Sequence, residues 1–237
     1  DRRIRALLDR SAVGFRGPGF SCPDTVLRVL LDNGYAYDAS VFPTSVAPLA
    51  RAYFMLRTGL KGAERERAKK LYGGFRSATR PNRPYRRDVA DGSIWEVPVT
   101  VMPLSRTPIH LSYLTYLAGH CRPLAESYFR TALRICRLTG TPPSLLLHPT
   151  DFLGPEDDSD MQYFPGMNLP RREKLAFVRW ALTRLTRAYD VHRMVDQLKI
   201  LDSNSGRADR AHPLGTDSSA ASGSDRSNQL HPIGGHG

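Results

Sequence analysis

The chain has 237 residues, 41% of them apolar, which is length enough to bury a sizeable core. No apolar run approaches the ~20 residues that a membrane span needs; the opening Asp1-Arg-Arg-Ile-Arg5 shows neither an initiator Met nor an apolar leader, and a chain starting on Asp reads as cut from a longer one. The formal charge of +11 is concentrated between Arg51 and Arg87, where twelve Lys and Arg face only Glu64 and Glu66; this segment suits an anionic surface or glycan and, as a solvated helix face, gives no sign of nucleic-acid binding.

Residues 1–10 read as a helix end with Ile4, Leu7 and Leu8 on one side. Ala12-Val-Gly-Phe15 is a short strand. It ends in Arg16-Gly-Pro-Gly-Phe20, which two glycines and a proline force to turn. Ser21-Cys-Pro-Asp24 opens a helix, with Ser21 as its cap and Pro23 in its first turn. Val26, Leu27, Leu30 and Leu31 form its buried stripe, and Gly34 stops it. Tyr35-Ala-Tyr37 begins the next strand, which ends at Asp38-Ala-Ser40. Strand, helix and strand make one βαβ unit, so Arg16 and Asp38 fall on the same rim of a parallel sheet.

Residues 45–92 read as a basic insertion over that rim, with helices over 47–56 and 63–71 and a proline- and arginine-rich loop over 76–88. Ser93-Ile-Trp-Glu-Val-Pro-Val-Thr-Val101 is a strand, and Pro98 inside it predicts an edge position or a bulge. The spacing predicts a helix over 124–138, with Ala125, Tyr128, Phe129, Ala132, Leu133 and Cys136 inward and Gly140 at its end. Pro142 and Pro143 exclude a helix interior. Leu145-Leu-Leu147 then predicts a strand buried on both faces, delivering His148 at its end. A histidine there sits where α/β proteins keep their chemistry; capping a strand end is the commoner role. Leu175, Val178, Leu182 and Leu185 mark another helix. Tyr189-Asp-Val-His-Arg-Met194 predicts a last strand, followed by a short helix through Leu198. The aperiodic residues 202–237 predict a disordered tail behind a domain over 1–201. Cys22, Cys121 and Cys136 have neither paired nor metal-type spacing and read as buried thiols.

Three motifs then carry a likeness. Arg16-Gly-Pro-Gly-Phe20, Gly34-Tyr-Ala-Tyr-Asp-Ala-Ser-Val-Phe-Pro43 and Leu145-Leu-Leu-His148, in this order, resemble the polysaccharide deacetylases, the NodB-homology enzymes of carbohydrate esterase family four. Trp95-Glu-Val-Pro-Val-Thr100 and the 189–194 segment resemble that family's late strands. The resemblance implies a partial, distorted (β/α) barrel and a hydrolase that removes N-acetyl groups from amino-sugar glycans with a divalent metal, Zn²⁺ or similar. It makes Arg16 the residue that orients the catalytic aspartate. Pro18, Gly19 and Phe20 become substrate-binding positions, as does Leu146, which matches the leucine of the acetyl pocket. His148 matches the general acid. Asp38 stands nearest to the aspartate of the fourth motif, with Val41-Phe42 where that motif has Trp. The first motif, Thr-Phe-Asp-Asp, and the second, His-x-x-x-His, supply the base and the metal ligands of the family; neither occurs here. The resemblance therefore implies a carboxyl-terminal portion with no metal ligands of its own.

The residue types suit that chemistry. Amide hydrolysis needs a polarised carbonyl, an activated water and a proton for the departing amine. Histidine suits the last task, and arginine can hold a carboxylate bidentately. Two other readings stay open: a non-catalytic glycan-binding module that keeps the groove, and a basic protein that binds a polyanion through residues 51–87.

Overall fold

A computed structural model of the chain describes residues 2–46, 78–89, 92–161, 164 and 166–210. It divides into two units, Asp1–Lys199 and Ile200–Gly237. Helix α1 (Arg2–Leu8) leaves Ile4, Leu7 and Leu8 exposed. Strand β1 (Gly14–Phe15) pairs in parallel with β2 (Tyr37–Asp38), Gly14 opposite Tyr37. A Cβ at Gly14 would lie 2.1 Å from the Tyr37 ring, so any larger residue would push that ring aside. Between the two strands runs helix α2 (Asp24–Asp32). Its N-cap is Pro23, which makes no side-chain cap hydrogen bond; Ser21 does not cap it. Leu27 and Leu30 pack onto Ile94 and Val89, each buried side chain contributing ~1.5–3 kcal/mol. Gly34, at φ 73°, ends the helix as expected.

The stretch expected as a loop over 76–88 is in part a strand, β3 (Tyr85–Val89), antiparallel to β4 (Gly92–Glu96). Its charges have local uses. The Arg86 guanidinium lies 4.6 Å from the centre of the Trp95 ring, and Arg87 pairs with Asp24 at 2.8 Å. β4 also pairs in parallel with β2, Asp38 opposite Glu96, giving the order β1-β2-β4-β3. The fold is thus mixed α/β around a small mixed sheet that does not close. β4 is an inner strand, which corrects the edge position expected from Pro98. The strand ends at Glu96, and the extended chain continues through Val97 N–H to Asp38 O (2.8 Å) and Val99 N–H to Val41 O (2.9 Å). Proline falls between two donating positions and breaks nothing.

The stretch before His148 is extended but is not a strand of the sheet. Leu146 is buried and Leu147 is 37% exposed, so the segment is not covered on both faces. Pro142 and Pro143 have no N–H, and the segment is held by separate bonds instead. Thr100 N–H donates to Ser144 O at 3.2 Å, and Leu111 N–H to Leu146 O at 3.0 Å.

Helix α3 (Leu111–Leu138) starts earlier than expected and is broken at Cys121 (φ −154°, ψ 96°), ahead of Pro123. Proline is tolerated there because it sits in the first turn of the resumed helix. Ala125, Phe129 and Leu133 pack against Phe177, Val178, Ala181 and Leu185 of α4 (Arg171–Ala188). Leu175, expected inside, is 37% exposed; Lys174 is buried instead. Tyr189 caps α4, and the residues after it form no strand. Helix α5 (Met194–Arg210) carries helical structure past residue 202, where a disordered tail was expected. The helices expected over 47–56 and 63–71, and the tail over 211–237, lie outside the described residues. Cys136 is buried and Cys22 half-buried, but Cys121 is exposed at the helix break. No helix among the described residues is long and apolar enough to cross a membrane.

Candidate active site

Arg16 leaves the end of β1, and its Nε donates to Ala39 O at 2.8 Å. Burial lowers its pKa, while Tyr37, Asp38 and Glu96 nearby oppose that shift. The loop behind it is a 3₁₀ turn, Pro18–Phe20. Gly19 and Phe20 both adopt φ 61°. For phenylalanine that left-handed backbone is strained by about 1–3 kcal/mol. Pro18 and Gly19 are exposed and Phe20 is half-buried. Gly17 N–H donates to Ser40 Oγ at 2.7 Å, and Ser40 Oγ–H donates to Asp38 Oδ1 at 2.6 Å, so the loop is pinned to the end of β2.

Asp38 itself is fully buried, opposite an equally buried Glu96. Glu96 Oε1 accepts from Val41 N–H at 3.0 Å. Burial, then the nearby Asp38, pushes the Glu96 carboxyl up to about 8.

His148 lies on a different element. It caps a 3₁₀ turn, Pro149–Phe152, and its N–H donates to the Asp151 carboxylate at 2.7 Å. Its Nδ1 is 2.8 Å from Ser112 Oγ, in the first turn of α3. Among the described residues its Nε2 has no hydrogen-bond partner. Below this turn Lys174 is fully buried, its Nζ donating to Thr150 O (3.0 Å) and Leu153 O (2.5 Å). Beside His148 stands His110, the N-cap of α3, with ring centres 6.2 Å apart. Burial, and secondarily His148, lowers the pKa of His110 to about 4, so it is neutral at pH 7. The Leu146 side chain is buried just before His148.

Rings connect the two halves of the site. Phe20 lies 4.9 Å from Phe42, Phe42 lies 5.4 Å from His110, and His110 then meets His148. The loop after β1 and the turn carrying His148 therefore share one aromatic seam. Arg16 and Asp38 come together behind it, with Asp38 shut away from solvent.

Sequence reasoning missed Glu96, Ser40, Ser112, His110 and Lys174. Glu96 had a legible signal: a lone carboxylate in the apolar run Ile94-Trp-Glu-Val-Pro-Val99. Ser112 and Lys174 had none, because long-range packing brings them in. Of the basic 51–87 segment, the described part begins at residue 78, where Arg86 and Arg87 are engaged inside the fold. No family model, no curated protein and no solved structure matches this chain.

Proposed function

We propose that the chain carries the leaving-group side of a carbohydrate N-deacetylase site, within a partial (β/α)-barrel-like fold. The observation that carries the reading is the fixation of His148: Nδ1 is held by Ser112 and the backbone N–H by Asp151, while Nε2 is left for a ligand. A general acid must be held in place before it can donate. In the assigned step, the water adduct of an N-acetyl group collapses. Its C–N bond breaks, the electron pair goes to nitrogen, and imidazolium His148 gives that nitrogen its Nε2 proton. Acetate and a free amino sugar leave. Arg16 holds the rim opposite, supported by its bond to Ala39.

Among the described residues no group of three or more His, Cys, Asp or Glu could hold a metal ion. The donors described here do not fit the divalent ion that the resemblance implies, and the roles assigned to this chain are proton donation and positioning.

The test is acetate release from an N-acetylated glucosamine oligosaccharide by the product of the full open reading frame. Equal amounts of acetate and free amine support the reading. Glycan binding without release would leave a binding module in its place. Salt-sensitive polyanion binding that survives loss of His148, with no glycan affinity, would leave the basic interaction protein.

A further inference from the structure

Asp38 and Glu96 are register partners on adjacent parallel strands, and both are 0% exposed. Each uses one oxygen locally, Oδ1 for Ser40 Oγ–H and Oε1 for Val41 N–H. The other two, Asp38 Oδ2 and Glu96 Oε2, have no donor among the described residues. Two buried carboxylates this close repel one another, whereas a single proton between them satisfies both.

The groups facing the pair do not remove that need. Arg16, from the loop after β1, spends Nε on Ala39 O, and Tyr37 lies beside it on β2. Cys22, ahead of α2, has a thiol pushed up to about 12 by burial and then by Asp38, so it stays neutral. From β3, Tyr85 is a neutral phenol raised by burial and Glu96. Arg87 donates through Nη2 to Asp24 at 2.8 Å and forms an ion pair through Nη1 with Glu96 Oε2 at 3.6 Å, too long for a hydrogen bond; its pull toward the charged carboxylate is outweighed by burial and by Asp38.

Asp38 is also the end of a relay. Gly17 N–H donates to Ser40 Oγ, and Ser40 Oγ–H donates to Asp38. Gly17 cannot retreat behind a side chain, because a Cβ there would lie 1.8 Å from Ser21 O.

We propose that Glu96 is a positioning residue: the proton it shares with Asp38 latches the loop of Arg16 to Phe20 onto the end of β2. The latch operates whatever reaction the rim carries. While it is closed, Glu96 keeps its proton up to about pH 8, against an ordinary 4.5. Opening exposes Glu96, which then ionises at its ordinary value. Between those limits opening releases one proton, so the opening constant rises about tenfold per pH unit and levels off above the upper limit.

The experiment is amide exchange of Gly17, followed by NMR from about pH 5 to about pH 9 and corrected for intrinsic base catalysis. The wild type should show that slope and plateau. Glu96→Gln keeps an oxygen for Val41 N–H and an N–H for Asp38 but cannot ionise, so its Gly17 opening constant should be flat. The titration of the Glu96 side-chain carboxyl carbon in the wild type needs no variant, and its midpoint should lie well above the ordinary carboxylate range. A Glu96 carbon titrating in the ordinary range, a pH-independent wild-type opening constant, or an equal slope in the glutamine variant would each overturn the latch.

Discussion

Ser112 Oγ and His148 Nδ1 lie 2.8 Å apart, joined across 36 residues of chain. The contact ties the first turn of α3 to the turn that His148 caps. It fixes which ring nitrogen is engaged, and Nε2 has no hydrogen-bond partner among the described residues.

On the proposed reading, removing the imidazole removes the general acid. In the full open-reading-frame product, His148→Ala should lower kcat for deacetylation ~10²–10⁴-fold. Ser112→Ala loses one hydrogen bond, about 1 kcal/mol, and should lower kcat roughly 5-fold while leaving KM alone. Steady-state acetate release per folded molecule checks both. Near-wild-type turnover in His148→Ala would reduce His148 to a cap.

Arg16 makes a contact that lysine cannot copy, because its Nε donates to Ala39 O while the rest of the guanidinium stays beside Asp38 and Glu96. Arg16→Lys keeps the charge and loses the fork. The loss of one hydrogen bond to a charged group predicts a destabilisation of about 1.5–3 kcal/mol. Urea unfolding measures it, and an unchanged midpoint would show that the ammonium finds an equivalent partner.

Lys174 is buried at 0% exposure with two carbonyl partners. Lys174→Met keeps the aliphatic stem beside Met167 and strands Leu153 O, while Thr150 O keeps only the long bond from Leu153 N–H at 3.4 Å. Each stranded acceptor costs ~1–3 kcal/mol, so the midpoint of thermal unfolding should fall clearly. If the carbonyls find water instead, the loss will stay under about 0.5 kcal/mol, which would rule out a structural need for the charge.

His110 gives a pH signature. Its pKa falls from 6.5 to about 4 on folding, through burial and the nearby His148. The native state holds it neutral while the unfolded chain takes a proton, so the stability is intact above 6.5. It is lost as pH falls toward about 4, by up to ~1.4 kcal/mol per pH unit. His110→Asn keeps a good N-cap for α3 and cannot titrate. Urea midpoints between these limits should drop less steeply in the variant. Equal slopes would assign the acid sensitivity to other groups.

What could be read from the sequence was local. The glycine-proline loop after Phe15, the stripe of Leu27 and Leu30, and the strand end at Asp38 all depend on neighbours within a few residues. β3 escaped because Tyr85-Arg-Arg-Asp-Val89 looks like solvated chain; its pairing rests on cross-strand partners such as Trp95. The three leucines before His148 imitate a buried strand, but the prolines ahead of them supply no donors. Arg16, Asp38 and His148 stood out by residue type and position. Glu96 comes to Asp38 from 58 residues away, and Ser112, which holds His148, and Lys174, which holds the turn after it, lie on helices whose faces only packing decides.

The interruption of α3 at Cys121 has an evolutionary side. The turns before it present Ser112 to His148, while those after it insert Phe129 into the helical core. The backbone is already non-helical at the junction, and Cys121 is exposed. A residue added or removed there shifts the register of the first half without forcing the second to rotate. The chain thus contains a seam at which the geometry around His148 can diversify by insertion, under selection for a new ligand, with Leu111, Leu114 and Ala118 repacking while the second half keeps its contacts with α4.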